Sequence, residues 1–422
     1  IFQPLGKTPL SEAPDRQLLY GRVFDQAGDL LDTGLAFVSR APHSYTGGDV
    51  AELSCHGGLY VTGQLLEALL AAGAAPAEPG EFTKRAFLSG KMTLTQAEAV
   101  MDVIGAAGQR ELSFARAQQN GALFRRVQQI SQGLVRSLGD LAAWADYPED
   151  EIPAVTPESL EASLRPVVTQ LEETLATYTY GRILRSGVSA VIVGKPNVGK
   201  STLFNLLSGC NRSIVTEIAG TTRDVVEEEI RLGNVTLRLW DTAGLRETQD
   251  VIEQMGVQIA EERLRQADLI LAVFDTARPL DADDRMMEQL PAQQPVIAIA
   301  NKSDQTARLD LEQLQKRFSY VIPMTAKDGD GLEALRQAVE QLFYTEQVTP
   351  ELGIVSNARQ KQCLEQAKEQ IQLALDALAQ GELLDAVTVL LEEAADSLLS
   401  LTGERVSEAV VDDVFSRFCV GK

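Results

Sequence analysis

The sequence is short of cysteines, of basic residues and of long apolar runs, and each shortage excludes something. Cys55, Cys210, Cys363 and Cys419 are the only cysteines in 422 residues. They lie far apart, with neither a disulfide framework nor a metal-ligand spacing, so a reducing, cytoplasmic setting is expected. Asp and Glu total 60 against 38 Lys and Arg, a net charge of −22. That balance argues against general phosphate attraction to nucleic acid. Only local basic clusters are left, such as Lys84 with Arg85 and Arg125 with Arg126. No apolar run reaches the roughly 18 residues of a membrane span. The opening IFQPLGKTPL has no initiator Met and no signal-peptide pattern, and further residues are expected ahead of Ile1. Length alone predicts two or three domains.

What is present falls into blocks. Up to about residue 90 the pattern is mixed α/β: LLYGRVFD and GLAFVSR read as strands joined by a turn at Gly28 and Asp29. DVAELSCHGG reads as a further strand, and LYVTGQLLEALLAAG as a helix ending at Gly73. From Thr95 helical periodicity takes over, without proline until Pro148. A further helix follows from Pro157, where Pro166 is expected to kink or split it. GVSAVIVGKP opens an alternation of strands and helices, and long helices return after about residue 350. Helices on both sides of an α/β block predict one helical domain interrupted by an inserted one.

The chemistry is concentrated in the inserted block. In VSAVIVGKPNVGKS, Gly194, Gly199, Lys200 and Ser201 match G-x-x-x-x-G-K-[ST] after a buried strand and before a helix. Glycines let backbone N–H groups curl around a β-phosphate, Lys200 neutralises β- and γ-phosphates, and Ser201 suits Mg²⁺. The helix that follows turns its positive end toward the same anion. Alone, the motif also fits a glycine turn before a helix. Three more features arrive in order. LRLWDTAG ends a strand at Asp241 and Gly244, for water-bridged Mg²⁺ and the γ-phosphate. VIAIANKSD ends another at Asn301, Lys302 and Asp304, whose carboxylate accepts from guanine N1–H and the 2-amino group. YVIPMTAK ends a third at Thr325, Ala326 and Lys327, where a backbone N–H meets guanine O6. Gly233 and Asn234 mark a hairpin turn, and Thr222 in IVTEIAGTTRD is the expected switch threonine. Together these resemble a Ras-like GTPase domain.

Hydrolysis needs more than binding. The residue after Gly244, where a Ras-type glutamine would orient water, is Leu245. Glu253 is the nearest carboxylate downstream with a suitable position. An arginine finger contributes about 10³–10⁵-fold to turnover. In its place, the Asn197 side-chain oxygen can hold a monovalent cation against the phosphates.

GKPNVGKS, TEIAGTTRD, DTAGLRE and the terminal FCVGK together resemble the MnmE (TrmE) family of bacterial tRNA-modification GTPases. SYTGGDVAELSCHGG, PGEFTKRAFLSGKMTLTQAEAV and DYPEDEI extend the likeness over nearly the whole chain, with Val420 where the family more often has Ile. The resemblance implies an α/β folate-binding and dimerisation domain over residues 1–90. A helical domain in two parts, 91–185 and 348–422, would carry the GTPase domain, 186–347, inserted between them. It implies K⁺ held by Asn197, Thr216, Ile218 and Thr221, Mg²⁺ by Ser201 and Thr222, and Glu253 orienting water beside Lys200. Carried over residue by residue, it adds Val198, Thr202, Glu217, Ala219, Gly220, Thr242, Ala243 and Ser303 to the nucleotide contacts. It further implies a homodimer and an FAD-containing partner, MnmG (GidA). With that partner the family adds an aminomethyl-type group to C5 of a tRNA wobble uridine, using 5-formyltetrahydrofolate or a related folate. Glu52, Lys91 and Lys422 would contact the folate, together with an Arg expected ahead of Ile1.

FCVGK itself puts Cys419 at a prenylation-like spacing, but Lys422 is an unusual last residue for such a signal and no polybasic run precedes it. On the residues alone a lone buried thiol is the other reading of Cys419; by resemblance the tail folds back toward the folate pocket, with Cys419 a candidate for the modification chemistry. A ribosome-associated regulatory GTPase is the alternative class; it would call for a basic RNA-binding domain, of which the chain shows no obvious trace. A non-enzymatic helical scaffold leaves the guanine and phosphate motifs unexplained.

Overall fold

A computed structural model of the chain describes residues 1–146, 155–209, 227–240, 264–281, 294–343 and 349–421. It divides into two compact units, each assembled from separate stretches. The first comprises residues 1–101, 119–165 and 366–422, the second 102–118 and 166–365.

The first unit begins with an antiparallel sheet in the order β1-β2-β3-β4: Phe2–Pro4, Leu19–Phe24, Leu30–Ser39 and Val50–Ser54. The β2–β3 turn is closed where the Asp25 carboxylate accepts from Asp29 N–H (2.8 Å), with Gly28 at φ +88. Helices α1 (Leu59–Ala71), α2 (Glu81–Leu88), α3 (Leu94–Gly105), α4 (Gln109–Gln119) and α5 (Ala122–Asp146) follow along the chain, with the end of α3 and nearly all of α4 counted in the second unit. The long helical run therefore breaks at short corners.

Beyond the buried Ala122 at its start, α5 buries Leu123, Val127, Ile130, Leu134, Ser137 and Leu141. Steps of four and three keep them on one stripe with the 3.5-residue repeat of bundle seams. Helix α12 (Leu384–Thr402) repeats the pattern at Val387, Leu391, Ala394, Leu398 and Leu401, and the two helices pack together. Helices α6 (Pro157–Ala176) and α11 (Ala358–Gln380) bear similar stripes. Pro166 lies inside α6 and does not divide it. The break comes instead at Thr177, ahead of α7 (Tyr178–Ser186). Helix α13 (Glu408–Ser416) closes the first unit over Leu94, Ala97 and Val100 through Val411, Phe415 and Phe418. Lys84 pairs with Asp412 at 2.6 Å on the same side.

The second unit is built on a six-stranded sheet in the order β10-β9-β8-β5-β7-β6. The strands are β5 (Val188–Val193), β6 (Glu227–Leu232), β7 (Val235–Trp240), β8 (Leu269–Asp275), β9 (Val296–Asn301) and β10 (Tyr320–Met324). All pairings are parallel except β6–β7, the hairpin read from Gly233 and Asn234. Strand β8 is buried at every position, as a central parallel strand covered on both faces must be. Helices α8 (Lys200–Gly209), α9 (Leu311–Gln315) and α10 (Leu332–Phe343) accompany the sheet.

Helix α7 is tied to the amino end of this sheet. Arg182 forms a two-pronged pair with Asp268, one arm at 3.0 Å, and Asp268 also accepts from the Ser189 N–H and hydroxyl. Burial pushes the Asp268 carboxyl up, but Arg182 and Ser189 outweigh it and hold the group below its usual 3.8. A depressed pKa contributes stability that is present above 3.8 and is lost as pH falls through the lower, folded value. Removing one member strands a largely buried charge, so Arg182→Ala is expected to cost about 3 kcal/mol and to move the acid unfolding limb to higher pH. Urea titrations at neutral and acid pH measure both; an unchanged midpoint contradicts the assignment.

Candidate functional site

The parallel strands bring their carboxyl ends to one edge, the usual ligand side of such a sheet. Asp275 pairs with Asn301, and Asn301 with Met324, so the ends of β8, β9 and β10 are in register. The ends of β5 and β7, Val193 and Trp240, belong to the same parallel set.

Residues 194–199 form the turn between β5 and α8. Gly199 has φ +101, and a Cβ there would lie 2.1 Å from Asn301 Nδ2, so only glycine fits. Asn197 takes the left-handed conformation, φ +63, without being glycine. Val198 is buried, whereas Ser201 and Thr202 are exposed in the first turn of α8. Lys200 Nζ donates to Lys195 O at 2.6 Å, which lays its stem across the loop. The first turn of an α-helix leaves N–H groups without intrahelical partners and carries positive dipole, which together suit an anion at the α8 amino terminus.

Asn301 is almost fully buried and braces the site. Its Nδ2 donates to Val198 O (2.8 Å), its Oδ1 accepts from Ala326 N–H (3.0 Å), and its carbonyl accepts from the Thr276 N–H (2.9 Å) and hydroxyl (2.7 Å). One side chain thus joins the 194–199 loop to the 325–327 loop. Lys302, also at φ +63, donates from Nζ to Asn197 O (2.9 Å) and to Asp275 Oδ2 (2.7 Å). The Ser303 and Thr325 hydroxyls share a hydrogen bond at 2.9 Å, and Ser303 N–H donates to Met324 O. Asp304 and Lys327 are exposed, and a carboxylate at that rim can accept two parallel N–H groups. Asp275 is a site residue that motif reading missed. Burial pushes its carboxyl up, but Lys302, the Ala277 N–H and Arg278 outweigh that and hold its pKa below the usual range. The available signal was an apolar run, LILAVF, ending in Asp at a strand's carboxyl end.

Thr216, Glu217, Ile218, Ala219, Gly220, Thr221, Thr222, Asp241, Thr242, Ala243, Gly244, Leu245, Glu253 and Lys422 lie outside the described residues. In the first unit Glu52 is exposed on β4, and Lys91 Nζ donates to Pro42 O at 2.7 Å. Cys419 is half-buried; its carbonyl accepts from Gly80 N–H (3.3 Å), and Val420 bridges Pro79. The tail is therefore held by backbone pairing just ahead of α2. Among the described residues no His, Cys, Asp and Glu cluster could hold a metal ion, and no helix is long and apolar enough to cross a membrane.

Two family descriptions match this chain: the MnmE helical domain over residues 94–419 and the GTP-binding protein TrmE N-terminus over residues 3–91. The tRNA modification GTPase MnmE of Carboxydothermus hydrogenoformans is 39% identical over 100% of this chain and 93% of its own length. The protein of the same name from Symbiobacterium thermophilum is 41% identical over 100% and 93%. That from Geobacter metallireducens is 41% identical over 96% and 89%.

Proposed function

The chain belongs to the MnmE family of tRNA modification GTPases and is a GTP hydrolase, and from that premise we propose a K⁺-activated GTPase that modifies the wobble uridine of certain tRNAs with an FAD-containing partner, MnmG (GidA). The observation that carries the GTP half is the Asn301 brace, which sets the phosphate loop and the 325–327 loop at one sheet edge.

In this reading the 194–199 loop and the α8 amino terminus bind the phosphates, and Lys200 leaves Lys195 O to neutralise them. Asp304 reads guanine N1–H and the 2-amino group, a donor pair that adenine lacks. Ser201, an exposed hydroxyl oxygen at the helix start, suits a hard cation; with Thr222 it would hold Mg²⁺, which neutralises phosphate charge when bound. Asn197 likewise offers an exposed amide oxygen, and with Thr216, Ile218 and Thr221 it would hold K⁺ in place of an arginine finger. Glu253 orients the attacking water. Glu253→Ala is expected to lower kcat about 10²-fold and to leave nucleotide affinity intact, as read by single-turnover hydrolysis and fluorescent-nucleotide titration. Undiminished turnover removes Glu253 from the mechanism.

For the folate half, Glu52 can accept pterin N–H groups. Lys91 spends one of its three N–H donors on Pro42 O and keeps two for a carboxylate tail, with Lys422 as the further contact. We place Cys419 in the modification chemistry, on a tail docked by Gly80 and Pro79. The working form is a cytoplasmic homodimer joined to the partner. Reconstitution tests the whole reading: the chain, the FAD partner with a hydride donor to reduce its flavin, GTP, Mg²⁺, K⁺, one-carbon folate, an amine donor and unmodified tRNA should produce a mass gain on the wobble uridine. Omitting GTP or the partner should abolish it, and no gain with every component present contradicts the proposal.

A further inference from the structure

We propose that Asp275 is a positioning residue for the nucleotide: by holding Lys302, and through it Asn197, it sets the phosphate loop in its binding shape before GTP arrives. The inference rests on the reading of residues 194–199 as the phosphate loop.

Among the described residues, Arg16, Asn197 and Lys302 are the non-glycine residues with positive φ. Two of these three are joined by one hydrogen bond, Lys302 Nζ to Asn197 O at 2.9 Å. A left-handed backbone outside glycine persists where surrounding contacts over-determine it. Asp275 supplies that determination. Its side chain is 7% exposed, and Oδ2 accepts from Lys302 Nζ at 2.7 Å. The Ala277 N–H holds the other oxygen at 3.0 Å, and Arg278 adds a contact at 3.3 Å to Oδ2. The carboxylate is therefore fixed before it fixes Lys302. An ammonium has three donors and no acceptor; with two spent on Asp275 and Asn197, the direction of the Lys302 stem is set.

Position argues for a role beyond folding. Asp275 stands at the carboxyl edge of the sheet, in register with Asn301. Its neighbours Phe274 and Val273 belong to the apolar clusters that hold the sheet together, whereas its carboxylate is spent on Lys302, Ala277 and Arg278. A buried ion pair adds little to stability when weighed against apolar packing, and its better-attested use is to specify one arrangement.

The test is dissociation of a fluorescent GDP analogue from the full chain in five forms: wild type, Asp275→Asn, Asp275→Glu, Lys302→Met and the Asp275→Asn, Lys302→Met double variant. Asp275→Asn is expected to speed dissociation about tenfold, the scale of one charge-assisted hydrogen bond. The same change should add nothing in the Lys302→Met background, because Asp275 acts through that lysine. Asp275→Glu keeps the charge one methylene away and should fall between wild type and Asp275→Asn; it carries the comparison if the asparagine variant does not fold. A wild-type rate in Asp275→Asn, or an equal effect with and without Lys302, overturns the proposal while leaving the nucleotide site in place. A wild-type chain that binds no GDP analogue overturns the site reading itself.

Discussion

In KCl the chain is expected to hydrolyse GTP about 10³-fold faster than in NaCl at the same ionic strength, the lower end of what a transition-state cation contributes. The expectation begins with an absence. Leu245 stands where a Ras-type glutamine would orient water, and an apolar side chain can neither accept a hydrogen bond nor donate one. Charge building between the β- and γ-phosphates must also be met by a cation, and residues 194–199, GKPNVG, hold no arginine but do hold Asn197. Asn197 is held left-handed at φ +63 with its carbonyl committed to Lys302 and its side chain exposed, which leaves its amide oxygen for a cation. K⁺ and Na⁺ differ in radius, so a cage of fixed oxygens responds to their exchange, whereas bulk screening does not. Steady-state phosphate release in matched salts decides it: equal rates remove the cation from the mechanism, although GTP binding would stand.

Asp304→Asn should exchange GTP for xanthosine triphosphate. The carboxylate accepts from two guanine donors, N1–H and the 2-amino group. Xanthine keeps N1–H and replaces the amine with an oxygen, so a carboxamide can accept from the first and donate to the second. A site built to hydrogen-bond one pattern rejects its counterpart by about 10⁴-fold, and the preference should swing by a comparable factor. Asp304 is exposed and lies beyond the Asn301 brace, so the substitution leaves the sheet edge intact. Competition titrations with both nucleotides read the swing; a variant that weakens for both and favours neither contradicts the guanine assignment.

Both predictions stand on residues legible in the sequence, because they belong to local patterns. The G-x-x-x-x-G-K-[ST] run needs no distant partner to be seen, and strands that end in a polar run announce themselves through hydropathy. The β6–β7 turn was readable because Gly233 and Asn234 sit between alternating strands, and Gly233 takes φ +66. What escaped was long-range. Asn301 reads as one member of a base-recognition motif, yet its side chain is spent on Val198 and Ala326, contacts that exist only once the four strands β10-β9-β8-β5 lie side by side. Asp275 was missed for the same reason, since its partner Lys302 is 27 residues away. Pro166, read as kinking or splitting its helix, does not split it. Its missing N–H removes one bond, while the stripe of Leu160, Leu164, Val167 and Leu171 continues buried through it, so packing outweighs the local cost. The docking of the C-terminal tail through Gly80, Pro79 and Val420 is likewise backbone pairing that side-chain patterns do not report.

The central claim is that this GTP site serves tRNA modification. Its most direct test is nucleoside mass analysis of tRNA from cells that lack the protein. The account predicts loss of the C5-aminomethyl-type wobble uridine and its return when the intact chain is supplied. An unchanged wobble-uridine profile in the deleted strain would contradict it.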